Sequence, residues 1–405
     1  MSKETPKYSN TTPSYGGQAV VEGVMMRGVK HFAIVCRRMN GELVSTLEPV
    51  ETYMGKFGHI KAPFLRGIVA LADSMILGMK SIHYSSDIAM TDQLEEETKQ
   101  KAAELESKIN ENKDENTVHK SEKELKKLAK KKEKNIKEME QAKAQLEGAN
   151  NKVNGILIGA SAFVGFAIAI VLFMLVPIFA SKLVTNTIFN ISTDNKWAFS
   201  LIEGVFKLGI FLLYVWGISF IPDIKRIFQY HGAEHKTINA FEAGKELNIE
   251  NIKKESTIHT RCGTSFILIL ISITIIVFCF IPNDNIIGRF ALKLLLLPFI
   301  ASVSYEVIKL SAKYSKSIIT RIFLAPGLFV QKITTKEPDE KMIECAMTSL
   351  KLVMNAENTN DVAEINTEKY DIKYTNKYDN INTIEYDKID IDKEKKETSS
   401  EINND

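Results

Sequence analysis

Residues 153–181 read VNGILIGASAFVGFAIAIVLFMLVPIFAS and contain no charged side chain. An α-helix needs about 20 consecutive apolar residues to cross the ~30 Å hydrocarbon core of a bilayer. The segment exceeds that length, which makes it the strongest structural signal in the sequence. It predicts a transmembrane helix and a mainly α-helical fold.

Three further apolar segments predict additional spans, at 197–222, 263–282 and 290–305. Four spans place both termini on one side of the membrane. The intervening loop 223–262 contains seven Lys and Arg residues, and basic residues are retained preferentially on the cytoplasmic side. We therefore predict a polytopic protein of the cytoplasmic membrane, with both termini and this loop in the cytoplasm. Membrane lipid is its expected partner, and assembly into a homo-oligomer stays open.

The averages over the whole chain conceal these segments. The 405 residues have a net charge of +2 and a mean hydropathy of −0.08, as in a soluble protein, because apolar segments offset highly charged ones. The charge is near neutral, so we expect no nucleic-acid partner.

The four cysteines are widely spaced and form no C-x-x-C pair. This spacing argues against a disulfide framework and fits a reducing compartment.

Changes in composition predict the domain organisation. The predicted units are a disordered N-terminus (1–14), a glycine-rich β-hairpin region with an amphipathic helix (15–90), a charged helical insertion (91–152), the membrane domain (153–306), a cytoplasmic helical region (307–355) and a disordered acidic tail (356–405).

Local patterns support three of these units. Asn40-Gly41 favours a two-residue hairpin turn between short β-strands. Charged residues interrupt the apolar stretch 63–89, so we expect a helix on the membrane surface, because charges inside hydrocarbon are costly. The insertion, with its mixed charges and partial heptad pattern, is typical of a helical hairpin or short coiled coil that turns at 110–116.

The cytoplasmic loop contains a pattern with metal chemistry. His231 and His235 are four residues apart, so on a helix both imidazoles would lie on one face and could reach one divalent ion. Glu234 stands between them in the order His-x-x-Glu-His, that of the inverted zincin signature, in which a glutamate activates metal-bound water. We predict the two histidines as metal ligands and Glu234 as a catalytic base.

A zinc site of this kind needs a further ligand. His259 and Cys262 come just before the third predicted span, and zinc accepts both residue types. Glu242 is an alternative ligand, because it follows His235 by seven residues and shares its helical face. Against a metal site, Gly232 weakens the helix prediction, and the histidines could instead hydrogen-bond lipid head groups or backbone.

Four motifs occur in order along the chain: GGQAVVEGVMMR at 16–27, YHGAEHK at 230–236, HTRCGTSF at 259–266 and TTKEP at 334–338. Together they resemble the YqhQ-like family of bacterial membrane proteins. The resemblance covers about 15–354 except the insertion, and it implies a predicted metal-dependent enzyme. Thr260 replaces the usual proline and Phe241 the usual tyrosine, and neither change affects a proposed ligand.

The leading hypothesis is a membrane-associated, metal-dependent hydrolase that binds a divalent metal, with zinc as the first choice. The alternative is a membrane scaffold or assembly factor with a structural zinc site. Three protein ligands plus water favour catalysis, whereas four protein ligands favour a structural role. Transport would need ionisable groups within the bundle. The candidates for that role are Glu203, Lys207, Lys293 and Glu306.

Overall fold

The structure is a computed structural model that describes residues 15–50, 65–111, 127, 130, 134, 164–187, 196–281, 286–313, 318–358 and 373–374. Several predictions lie outside these residues. They concern the disordered N-terminus, the hairpin turn and second half of the charged insertion, and most of the disordered tail.

The N-terminal region forms an antiparallel sheet, as predicted. Its strands are β1 (Gly16–Val20), β2 (Gly23–Arg27), β3 (His31–Arg37) and β4 (Leu43–Pro49), paired in sequence order. A short β5 (Lys373–Tyr374) pairs in parallel with β4. The predicted hairpin at Asn40-Gly41 is present, but its loop is longer than the two residues expected. Arg38 N donates to Glu42 O and Gly41 N donates to Arg38 O, both at 2.9 Å. Gly41 has a positive φ of 92°, whereas a two-residue turn would need a positive φ at Asn40 as well.

Helix α1 (Leu65–Glu111) runs without a break through residue 90, where the composition changes. At its start, Gly67 packs against Ser302 of a later apolar helix. Further along, Leu77 joins a buried cluster on one face of the sheet. Beyond the sheet, Asp92 accepts a hydrogen bond from Arg38 Nε at 2.7 Å. The helix therefore contacts an apolar helix at its start and the sheet further along, and its charged C-terminal part follows these contacts.

The apolar helices are α2 (Val164–Thr187), with a π-helical turn at Val171–Leu175, α3 (Lys196–Ile218), α6 (Gly263–Cys279) and α7 (Ile286–Lys313). Between α3 and α6 lie α4 (Pro222–Glu242) and the short α5 (Ile249–Lys253). After α7 come α8 (Ile318–Thr334) and α9 (Glu340–Asn358).

Three helices are long and apolar enough to cross a membrane, at Val164–Thr187, Trp197–Ile218 and Ile287–Leu310. They correspond to the first, second and fourth predicted spans. The third predicted span forms Gly263–Cys279, a helix of 17 residues. At 1.5 Å per residue it measures about 25 Å, which is less than the ~30 Å of a hydrocarbon core. The count of four spans therefore stays a prediction.

The sheet lies between α1 on one face and the pair α4 and α9 on the other. Alternate residues of a strand point to opposite faces. Val24 and Met26 of β2 accordingly pack into the core shared with α4 and α9, whereas Met25 packs towards α1. The β1–β2 turn is joined to α4 through Glu22, which pairs with Arg226 and accepts a hydrogen bond from Tyr230 Oη at 3.2 Å.

Ser349 of α9 provides a buried polar link to this sheet. Its hydroxyl accepts a hydrogen bond from Met26 N at 3.1 Å and donates one to Ala33 O at 2.9 Å. Ser349→Ala is expected to lower the free energy of unfolding by about 1–3 kcal/mol, because it removes both bonds at a buried site. Thermal unfolding of the purified protein measures this loss. Ser74→Ala on the exposed face of α1 is the matched control, with an expected change within about 0.5 kcal/mol. Equal effects of the two changes would contradict the prediction.

Candidate metal centre

His231 and His235 lie on a helix, although the sequence placed them in a loop and Gly232 argued against a helix. Helix α4 begins at Pro222, a residue favoured in the first helical turn, and it continues through Gly232 to Glu242. The spacing of four residues puts the two imidazoles on one face, with ring centroids 4.4 Å apart. The residues from Tyr230 to Ile238 are buried, apart from the half-buried His231.

Both imidazoles are oriented by the backbone. His231 Nδ1 lies 2.9 Å from Thr334 O, and His235 Nδ1 lies 2.6 Å from Thr257 O. A carbonyl oxygen can only accept, so each Nδ1 carries a proton, and in the neutral form of such a ring the lone pair lies on Nε2. This arrangement is typical of metal-binding histidines, whose second nitrogen donates to a carbonyl or carboxylate.

Cys262 completes a group of three potential ligands with these histidines. The two imidazole nitrogens and the thiol sulfur all lie within 4.8 Å of one another. The sulfur is 3.2 Å from His231 Nε2. Bond lengths of about 2.0–2.3 Å around a tetrahedral zinc ion separate its ligand atoms by about 3.5 Å. The donor set and its spacing therefore fit a zinc-like divalent ion.

The sulfur of Cys262 occupies the N-cap position of α6 and accepts from Thr264 N at 3.5 Å. Burial raises the pKa of this thiol to about 11, while the hydrogen bonds from Thr264 oppose that rise. A coordinated metal ion deprotonates a thiol outright. The N-terminus of a helix also favours the resulting negative charge.

Burial also keeps His235 neutral. It lowers the pKa of this imidazole to about 2, and the neighbouring His231 acts in the same direction. Neutral imidazole is the form that binds a metal. His235 is therefore prepared for ligation at any pH near neutrality.

Glu234 lies beside the group, with Oε2 3.5 Å from His235 Nε2. Burial raises the pKa of its carboxyl group, whereas His231, His259 and a hydrogen bond from the Gly17 backbone oppose that rise. The carboxylate is thus held between α4 and β1, next to the point on which the three ligand atoms converge.

The other two candidate ligands form a neighbouring pair. His259 Nε2 lies 3.4 Å from Glu242 Oε2, and the same carboxylate pairs with Arg261. The His259 ring centroid is 5.6 Å from that of His235. Burial lowers the pKa of His259. His259 and Glu242 are therefore adjacent to the three-ligand group without belonging to it, and their ligation stays a prediction.

Three supporting residues were not predicted from the sequence. Thr257 and Thr334 act through their carbonyl oxygens, and these have no signature because every residue has one. Gln331 accepts from His259 N at 2.9 Å and donates to His259 O at 2.8 Å, which fixes the segment before Cys262. In the sequence, Gln331 is distinguished only as a polar residue within an apolar helical pattern.

The sequence profile of the family described as protein of unknown function, DUF1385, matches residues 62–356. The chain belongs to this family. It is also 32% identical over 346 residues to "Uncharacterized protein YqhQ" of Bacillus subtilis (strain 168). The aligned region covers 85% of this chain and 93% of the relative. No solved structure matches the chain.

Membership of the DUF1385 family confirms the resemblance found in the sequence. The matched region includes α4, α6 and α8, which carry or support the three potential ligands. The family description and the name of the relative state no activity. Metal-dependent catalysis therefore stays a prediction that depends on the geometry of the site.

Proposed function

We propose that this DUF1385 protein is a membrane-associated metalloenzyme of the hydrolase class, with one zinc-like divalent ion held by His231, His235 and Cys262. The observation that carries the proposal is the convergence of their ligand atoms within 4.8 Å, with each histidine Nδ1 at a backbone carbonyl. Cysteine-containing His-rich sites favour zinc over hard cations such as magnesium.

Three protein ligands leave one of four tetrahedral positions for water or substrate. An ion bound there supplies an electrophile and lowers the pKa of its bound water towards neutrality. Glu234, whose Oε2 lies 3.5 Å from His235 Nε2, would serve as the general base beside such an ion. Its buried position also excludes bulk water from the carboxylate, which strengthens its electrostatic interactions.

We place the centre on the cytoplasmic face of the cytoplasmic membrane, with both termini on that side. Three helices that are long and apolar enough to cross a membrane support membrane association. The orientation is supported by the seven basic residues of 223–262, the segment that contains most of the centre. Substrates at or near the inner membrane surface would have direct access to it.

The proposal is tested with cobalt as a spectroscopic substitute for zinc. Full-length protein, purified in detergent and freed of metal, is expected to bind about one equivalent of Co²⁺ with tetrahedral d–d bands and a sulfur-to-cobalt charge-transfer band. Cys262→Ser should abolish the charge-transfer band. Cys279→Ser, a change at another buried cysteine of α6, should leave it intact. A wild-type spectrum without that band, or a band that survives in Cys262→Ser, would contradict the ligand set.

The same spectrum separates catalysis from a scaffold role. A water at the fourth position is exchangeable, so azide should shift the d–d bands of the wild type. If azide has no effect, four protein ligands close the site, and the scaffold alternative replaces the hydrolase.

A further inference from the structure

Helix α8 is apolar on the side that it turns away from the protein. Its side chains are described from residue 325 to 334, and the exposed ones there are Ala325, Pro326, Phe329 and Lys332. These positions are three or four residues apart and therefore lie on one helical face. Helices of soluble domains usually turn polar and charged residues to water. We call the three apolar positions, Ala325, Pro326 and Phe329, the outward face of α8.

The opposite face of α8 packs on the apolar helices. A Cβ on Gly327 would lie 2.8 Å from Ser265 Cα, and Gln331 Nε2 donates to Ser265 Oγ at 3.0 Å. Helix α8 therefore crosses the first turn of α6. It also contacts α3, where Val330 belongs to a buried cluster against which Leu212 packs. Leu212 is six residues, about 9 Å of helix, inside the end of the apolar segment Trp197–Ile218.

The neighbouring helices expose apolar side chains at the same level. Ile267 of α6 is exposed two residues after Ser265, and Leu213 of α3 is exposed one residue after Leu212. Single exposed apolar residues are normal on a protein surface, but a shared apolar surface marks a contact with another apolar phase. The outward face of α8 thus extends the apolar surface of helices that are themselves suited to lipid.

The polar end of α8 has the composition of a membrane boundary. Lys332 is exposed, and its Nζ lies 5.9 Å from the centroid of the Phe329 ring. Lysine at the end of an apolar helix can keep its alkyl chain on apolar surface while its ammonium group reaches the lipid phosphates. The charge of Lys332 is therefore complementary to the phosphate groups of phospholipid heads.

We propose that α8 lies in the lipid leaflet on the side of the metal centre. Its outward face would contact phospholipid acyl chains, and Lys332 would lie at the phosphate groups. The sequence predicts residues 307–355 as a cytoplasmic helical region. The proposal therefore moves one helix of that region from water into the membrane.

This placement would hold the metal centre at the membrane surface. Thr334 is the last residue of α8, and its carbonyl oxygen lies 2.9 Å from His231 Nδ1. The centre would then lie at the level of the lipid heads, where a substrate anchored in the membrane could reach it. The position of α8 does not depend on hydrolase activity, because it is argued from the packing and exposure of apolar helices.

Fluorescence quenching in lipid nanodiscs tests the proposal. Full-length protein carries a bimane fluorophore on one introduced cysteine, in nanodiscs of phosphatidylglycerol and phosphatidylcholine. The four native cysteines are buried, and the parent protein treated with the same reagent gives the background. Quenching by phosphatidylcholine with a spin-labelled acyl chain measures contact with lipid, whereas quenching by iodide measures contact with water.

The test position and its two references have similar exposure, at 58% for Phe329, 65% for Leu213 and 64% for Met39. Leu213→Cys is the lipid reference, because it lies in a helix long and apolar enough to cross a membrane. Met39→Cys, between β3 and β4, is the water reference. The ratio of lipid quenching to iodide quenching for Phe329→Cys should match that of Leu213→Cys and exceed that of Met39→Cys severalfold. Ala325→Cys should repeat this result, whereas Lys332→Cys should respond to iodide.

Two results would overturn the proposal. If labels at Phe329 and Ala325 respond to iodide as the Met39 label does, the outward face lies in water. If both labels are shielded from both quenchers, protein covers the face, and a second copy of the chain becomes the candidate. Neither result bears on the cobalt spectrum, so a failure here is distinct from a failure of the proposed metal centre.

Discussion

Replacing both His231 and His235 with alanine is expected to reduce the metal content of the purified protein from about one equivalent to below ~0.1. Loss of an outer hydrogen-bond partner alone lowers metal affinity by about 10–100-fold, so the loss of two direct ligands should cost far more. Only Cys262 of the three-ligand group would remain. Elemental analysis of full-length protein after dialysis against a weak chelator measures the change.

The control for this change is His83→Ala. His83 is an exposed histidine of α1, so its loss changes the histidine count without touching the centre. Metal content should stay at the wild-type value. A double variant that keeps its full equivalent of metal would refute the site and the proposed function together.

Metal removal should also affect stability, because an ion that binds only the folded state stabilises it. The three ligand atoms come from α4 and from the residue before α6. An ion would therefore connect the helix that packs on the sheet to the N-cap residue of an apolar helix. We expect chelation to lower the Tm of the wild type, and to leave that of the His231→Ala/His235→Ala protein unchanged.

Much of this centre could be predicted from local spacing. The His-x-x-Glu-His pattern identifies two residues on one helical face, because a helix repeats every 3.6 residues. The third ligand requires tertiary information. His259 and Cys262 were equal candidates in the sequence, and they separate in space because Cys262 caps α6 whereas Gln331 holds the His259 backbone.

The fold was predictable where composition alone decides it. Long uncharged segments predict apolar helices, and Asn40-Gly41 predicts the hairpin. The length of α6 was not predictable in this way, since residues 263–282 are uncharged throughout but the helix ends at Cys279. The buried ion pairs of Glu203 with Arg289 and Lys293 were partly predictable. The sequence identifies Glu203 and Lys293 as ionisable residues within predicted spans, whereas Arg289 lies just before the predicted start of the fourth span.

The reason for a glycine at position 232 could not be predicted from the sequence alone. Glycine in a helix usually lowers stability, by about 1 kcal/mol relative to alanine, and it argued against a helix around the two histidines. The structure gives the reason for it. The segment that follows α8 crosses α4 at this residue, where Lys336 N donates to Phe228 O at 2.9 Å.

Gly232→Ala is accordingly expected to destabilise the protein and weaken its metal centre. A Cβ at this position would overlap the Lys336 carbonyl oxygen and lie 3.4 Å from Pro338 Cδ. The gain in helix propensity is at most about 1 kcal/mol, whereas overpacking against fixed backbone costs about 1–3 kcal/mol. The clash should therefore dominate and lower the Tm by several degrees. Displacement of the crossing segment would also move Thr334 O away from His231 Nδ1, and so reduce metal affinity by about 10–100-fold.

The matched control is Gly209→Ala in α3, where a Cβ would meet nothing within 4 Å. With no clash, the gain in helix propensity should leave the Tm unchanged or slightly raised. Thermal unfolding and competitive metal titration of the two variants, side by side, measure both effects. A Gly232→Ala protein with wild-type Tm and metal affinity would mean that the crossing segment yields without cost. The Thr334 carbonyl would then not be what orients His231. Loss of metal affinity without loss of stability would instead show that the crossing segment serves the centre more than the fold.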